Sequence, residues 1–115
     1  MTDWNLFLAK HAEDDLHDIY EYIAFTLREP GTARNLIRRI VEQVDILKGS
    51  PQSYAVYQKE PWRSRGLRRK NVGNYAIFFV PVESKRTVVV TRIVYGGRDI
   101  DRVLDDTPNM QIVDE

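Results

Sequence analysis

The apolar residues of this chain change their period once, and that change constrains the fold more than any single motif. Between Ala12 and Leu47 they recur every three or four positions; between Leu67 and Val94 they form short runs rich in β-branched residues. The first pattern is that of amphipathic helices and the second that of strands. Ala12, Leu16, Ile19, Tyr20, Ile23 and Leu27 make one helical stripe, opened by Glu13, Asp14, Asp15 and Asp18, whose charge opposes the positive end of the helix dipole. Glu29-Pro30-Gly31 is read as the stop, and Thr32 as the N-cap of a second helix with an apolar face of Ala33, Leu36, Ile37, Ile40, Val41, Val44 and Leu47. Gly49 ends it. Two such helices joined by so short a turn pack as an antiparallel hairpin.

The strand half starts weakly and strengthens. Leu67 to Val72 is a possible strand, Tyr75 to Val82 a better one, and Thr87 to Val94 the best. Pro81 predicts an edge or a strand end in the second of these. Glu83 to Arg86 is a polar turn, so the last two strands read as an antiparallel hairpin. Alternation puts Ile77 and Phe79 on one face and Ala76 and Phe78 on the other. Trp4 to Leu8 is a short β-like opening, Tyr95-Gly96-Gly97 ends the sheet, and Arg98 to Leu104 has room for one or two helical turns. With 115 residues, one domain over residues 1–104 is expected, followed by an acidic tail, 105–115, that orders poorly alone.

The charge balance is zero overall but uneven along the chain. Residues 1–58 are net −3, residues 59–102 net +7 and residues 103–115 net −4. The densest basic stretch, Lys59 to Lys70, holds Lys59, Arg63, Arg65, Arg68, Arg69 and Lys70 against Glu60 alone, and it is followed by a run that reads as core strand, Asn74 to Val80. A cluster of this kind suits an anionic partner, phosphate above all. It equally suits a solvated face, or a fixed loop whose arginines reach carbonyls.

Several chemistries are excluded or unsupported. There is no cysteine, so disulfides, thiolate metal sites and cysteine nucleophiles are absent, in keeping with a reducing cytoplasm. The N-terminus turns acidic before any long apolar run develops, and no run is long enough to span a membrane, so neither a signal peptide nor a membrane partner is expected. His11 and His17 both fall in the first helix, six residues apart, which is not a ligand pair on one face. Chemistry in the basic half would therefore proceed without imidazole, and neither a metal nor another cofactor is expected. Ser50, Ser53, Ser64 and Ser84 lack a nucleophile-elbow context, and Gly96-Gly97 is too little for a phosphate loop. Arginines could hold phosphates, and Tyr57 or Tyr95 could stack on unstacked bases, if they converge at one end of the sheet.

The phrases Asp15-Leu16 to Tyr22-Ile23, Asn74-Tyr75, and Arg92-Ile93 to Gly97-Arg98-Asp99, in this order over roughly residues 3–104, resemble the RelE/ParE superfamily of bacterial toxins from type II toxin–antitoxin pairs. The resemblance implies an α+β fold, a helical hairpin on a small, mainly antiparallel sheet, and a cytoplasmic toxin restrained by an antitoxin protein. RelE-like members cleave mRNA on the ribosome, and ParE-like members inhibit DNA gyrase. Arg98 matches the arginine that follows the last strand in RelE-like nucleases, and Arg69 falls near their catalytic lysine. Their strand arginine falls on Ala76 and their late tyrosine on Leu104. The first expectation is a metal-independent endoribonuclease with Arg65, Arg69, Tyr95 and Arg98 as catalytic residues and Arg63, Arg68 and Lys70 as RNA contacts. The alternative, favoured by Ala76 and Leu104, is a gyrase inhibitor that binds without chemistry of its own.

Overall fold

The computed structural model describes residues 3–106; the acidic tail beyond lies outside the described residues. The chain runs β1 (Asn5–Leu8), α1 (Lys10–Glu21), a π-helical turn (Tyr22–Thr26), α2 (Pro30–Ile46), a short 3-10 turn (Pro51–Ser53), β2 (Arg68–Val72), β3 (Tyr75–Val82), β4 (Thr87–Tyr95) and α3 (Ile100–Asp105). The expected α+β architecture is present. The sheet has the order β1-β4-β3-β2, with β1 parallel to β4 and the other pairs antiparallel. Among the described residues no helix is long and apolar enough to cross a membrane.

The sheet is covered on both faces. Ile77, Phe79, Val88, Val90 and Ile93 pack with Trp4, Ala12, Ile40, Val44 and Leu47 beneath the helical hairpin. Ala76, Phe78, Val80, Val82 and Val94 pack on the other side under Trp62, Leu67, Val103 and Leu104. This two-sided burial is why β3 reads as a nearly continuous apolar run, and its faces divide as alternation predicts. The loop that carries much of the basic charge is therefore also a lid on a second core, anchored by Trp62 and Leu67.

Three local expectations are corrected. The second helix begins at Pro30, with Glu29 in the N-cap position, and Thr32 lies inside its first turn. Proline's fixed φ and missing N–H suit the first helical position, so Pro30 starts α2, and only Leu27, Arg28 and Glu29 separate it from the π turn. Arg28 makes the reversal at a φ of 59°. Leu27 leaves the buried stripe: the Leu27 amide bonds to the Tyr22 carbonyl, five residues back. The extra residue in that turn rotates the following side chains by about 100°. Lastly, β3 is an inner strand, not an edge. Its pairing with β2 stops at Phe79, however, so Pro81 sits where β3 pairs with β4 alone.

A bulge completes the frame. Phe78 pairs with Arg92 and Phe79 with Val90, which leaves Thr91 as the extra residue of β4. Thr91 is buried, and its hydroxyl donates to the Phe78 carbonyl at 3.2 Å.

Candidate functional site

Strand alternation disperses the basic stretch. Arg68 and Lys70 turn toward the hairpin side. The Arg68 guanidinium donates to the carbonyls of Gln52, at 3.2 Å, and Tyr54. The Lys70 ammonium lies 5.1 Å from the Tyr54 ring centre and donates to the Gln43 carbonyl of α2 at 3.5 Å. Arg69 points to the opposite face, 5.6 Å over the Phe78 ring, with its Nε donating to Asn71 at 2.9 Å. Arg65 lies over Trp62 at 5.2 Å, and Arg63 is exposed in the loop. Of this set, Arg69 lines a cleft together with Tyr95.

Tyr75 and Tyr95 form the centre of the strand-end region. They are opposite each other in the register of β3 and β4, and their rings meet edge to face at 5.6 Å. The Tyr75 phenol is pushed up, by burial first and then by Tyr95 and Tyr22. The Gly96 amide donates to the Asn74 carbonyl at 2.7 Å. A Cβ at Gly97 would lie 2.5 Å from the Tyr95 ring, so glycine lets that ring fold over the turn.

Clefts lie on both sides of this pair. One, about 210 Å³, is lined by Arg69, Asn71, Tyr75, Tyr95 and the Gly96-Gly97 turn. The other, about 690 Å³, runs between α1 and β4 and is lined by Ile19, Tyr22, Leu27, Tyr75, Tyr95 and Arg98 among others. Arg98 also borders a third cleft with Arg92, Arg102 and Asp106. Among the clefts of the described residues, Arg69 lines the first of these with Tyr95, and Arg98 lines the second with Tyr95. The wide cleft is the more apolar, and Tyr22, Leu27 and Tyr95 are 56%, 51% and 48% exposed there.

Two linkages position these residues, and neither stands out in the sequence. Asp15 of α1 binds Arg92 of β4 in bidentate fashion, at 2.7 and 2.8 Å, with side chains only 11% and 13% exposed. Asp15 also accepts the Ile93 amide at 2.8 Å. Because β1 pairs no further than Val90, this carboxylate satisfies a strand edge that β1 does not reach. Tyr57 donates its hydroxyl to Asp101 of α3, and Lys59 binds the other carboxylate oxygen at 2.6 Å. Burial pushes the Tyr57 phenol up to about 12, with Asp101 adding to the rise. Tyr57 therefore serves as a tether for α3 rather than standing at the strand end beside Tyr95. Among the described residues no group of three His, Cys, Asp or Glu side chains could hold a metal ion.

Comparison with known proteins agrees with this architecture. No curated protein matches the chain at a significant level. Solved structures do: the chromosomal ParDE toxin–antitoxin system of P. aeruginosa is 26% identical, with a TM-score of 0.66 over 80% of this chain and 95% of that one. The toxin–antitoxin complex RelBE2 of Mycobacterium tuberculosis is 17% identical, with a TM-score of 0.62 over 81% and 98%. A mutant of the E. coli toxin RelE in its free state is 9% identical, with a TM-score of 0.63 over 96% and 99%, a likeness of fold. The family model for the ParE toxin of the type II toxin–antitoxin system parDE matches residues 6–100. With a match over that span, the chain belongs to the ParE toxin family of type II toxin–antitoxin systems.

Proposed function

We propose that this toxin arrests growth by binding DNA gyrase, without chemistry of its own, and that a cognate antitoxin protein restrains it. The observation that carries the reading is the division of Arg65, Arg69 and Arg98 among separate surroundings: over Trp62, over Phe78 beside one cleft, and at the border of two others. General acid–base and phosphate-stabilising groups must meet on one reacting phosphate to within hydrogen-bond reach. A binding surface has no such requirement, and a half-exposed aromatic and aliphatic patch with an arginine at its edge is the composition of an interface hot spot. The membership of the ParE family supports the same side. Ribosome-dependent mRNA cleavage is the second reading, favoured by one feature, the cleft that Arg69 shares with Tyr95.

Purified chain added to a gyrase supercoiling assay is expected to inhibit it in proportion to dose. In cells, induction should lower thymidine incorporation before amino-acid incorporation. Early loss of protein synthesis, with supercoiling untouched, would replace this reading with mRNA cleavage.

A further inference from the structure

The two edges of the sheet are built differently. At the outer edge of β2, Arg68, Arg69 and Lys70 carry charge, the Arg69 amide donates to the Ala55 carbonyl at 3.3 Å, and Val56 forms a bridge with Arg68. Charge and a covering segment keep an edge strand from pairing with another chain. β1, at the opposite edge, reads NLFL, without a charge, a proline or a bulge, and its Phe7 is 58% exposed. The Asn5 and Ala9 amides donate to the carbonyls of Arg86, just before β4, and Val90, at 2.8 and 2.9 Å. In this parallel pair the odd-numbered residues therefore face β4, and the backbone groups of Leu6 and Leu8 point away from the sheet. Among the described residues no backbone group bonds to them there.

This edge fits a second copy of itself in one register. The Lys48 carbonyl accepts the Trp4 amide at 2.9 Å, and α1 starts at Lys10, so the open edge is closed before Leu6 and after Leu8. An antiparallel pair of two β1 strands uses both open residues only when its two-fold axis passes Phe7. Leu6 then lies opposite Leu8 of the second copy, and each such pair exchanges both amide–carbonyl bonds. The two Phe7 residues meet as a non-hydrogen-bonded pair, with Cα atoms about 4.5 Å apart. Phe7 lies opposite Val89, which packs on the second core, so two exposed rings at the rims of two cores cover each other. The ends of the strand agree. α1 begins at Ala9, which offers no side-chain cap. The same axis brings exposed Asp3 to the start of the second copy's α1, at Lys10 and His11. A carboxylate there suits both side chains and the positive end of the helix.

We infer that two copies of this chain join through β1, edge to edge, into one continuous sheet centred on Phe7. β1 flanks Thr87–Val90 of β4, and Tyr95 stands at the other end of that strand, so each copy keeps its Tyr75–Tyr95 surface open. The dimer presents two such surfaces. It is read without gyrase, so this inference and the binding reading above fail separately.

The chain has no cysteine, so Phe7→Cys places a single thiol on the proposed axis. Cα atoms at that separation lie within the range a disulfide spans. Mild oxidation is expected to convert this variant to a covalent dimer, while Phe25→Cys, at a 67% exposed ring outside β1, stays a single chain. In sedimentation equilibrium the unsubstituted protein is expected to approach twice the mass of one chain as its concentration rises. Phe7→Lys, checked for folding by circular dichroism, puts like charges opposite each other and should hold the mass at one chain. A dimer that Phe7→Lys leaves intact, or equal cross-linking of the two cysteine variants, overturns the inference. So does a mass that stays at one chain at every concentration, which would leave this edge to a strand of another protein.

Discussion

Asp15 accepts two hydrogen bonds from Arg92 and one from the Ile93 backbone, with both side chains nearly out of water. Removing one member of such a pair leaves the other charge buried and unpaired, at about 3–5 kcal/mol. Asp15→Ala is therefore expected to lose stability of that order in urea unfolding, whereas Ala at the neighbouring, exposed Asp14 should lose far less. In the sequence the two acids look alike, because the partner that distinguishes them lies 77 residues away. A second residue-scale prediction concerns Tyr57 and Asp101. A phenol raised to about 12 contributes stability that is present below its unfolded value near 10 and is lost as pH rises through the folded value. Asp101 runs the other way. Its carboxylate is lowered by Lys59 first and Tyr57 second, so its contribution is present above the unfolded value near 4 and is lost as pH falls through the folded one. In an ultraviolet titration of Asp101→Asn, the Tyr57 phenol should ionise at lower pH than in the parent yet still late, because burial, the larger cause, remains. A titration that does not move would mean that Asp101 is not the tether.

At the scale of elements, the periodicities carry most of the fold. The faces of β3, the antiparallel β3–β4 hairpin, the helical hairpin and the short C-terminal helix all follow from spacing and turn residues. What spacing does not carry is the π turn, because one added residue changes the phase of a stripe without changing its composition. Leu27 continues the first helix's stripe in the sequence and is half exposed in the structure for that reason. The strand-end region was legible only in part. Tyr95 and Arg98 stand at the sheet's end as expected, but the split of Arg68, Arg69 and Lys70 between two faces depends on where β2 starts, and the weak signal from Leu67 to Val72 does not fix that. The π turn has a testable consequence. Because Leu27 is exposed, Leu27→Asp should change stability by no more than about 0.5 kcal/mol. If the wide cleft is the target-facing surface, the same substitution should weaken gyrase inhibition at least about tenfold, equivalent to about 1.4 kcal/mol. A thermal melt and a supercoiling titration on the same sample separate the two quantities, and unchanged inhibition would move the interface away from this cleft.

At the scale of the whole molecule, the net +7 of residues 59–102 does not become one basic field. Arg68 and Lys70 are drawn into carbonyl contacts on the hairpin side, Lys59 is paired with Asp101, Arg92 with Asp15, and Arg102 lies 3.8 Å from Asp106. Arg69 and Arg98 remain as cations on the two flanks of the Tyr75–Tyr95 pair, with no hydrogen-bond partner in common among the described residues. That arrangement lets additivity distinguish binding from catalysis. Side chains that contact a partner independently contribute free energies that add within about 0.5 kcal/mol, so their fold-changes multiply. Residues that act as one catalytic unit do not add: either loss removes most of the rate, and the second costs little more. Arg69→Ala, Arg98→Ala and the double variant, each checked for folding by circular dichroism, are expected to weaken gyrase inhibition multiplicatively. A double variant no weaker than either single, together with loss of mRNA cleavage on ribosomes in all three, would mean that the two arginines converge on one phosphate when substrate is bound, and the toxin would then be a nuclease.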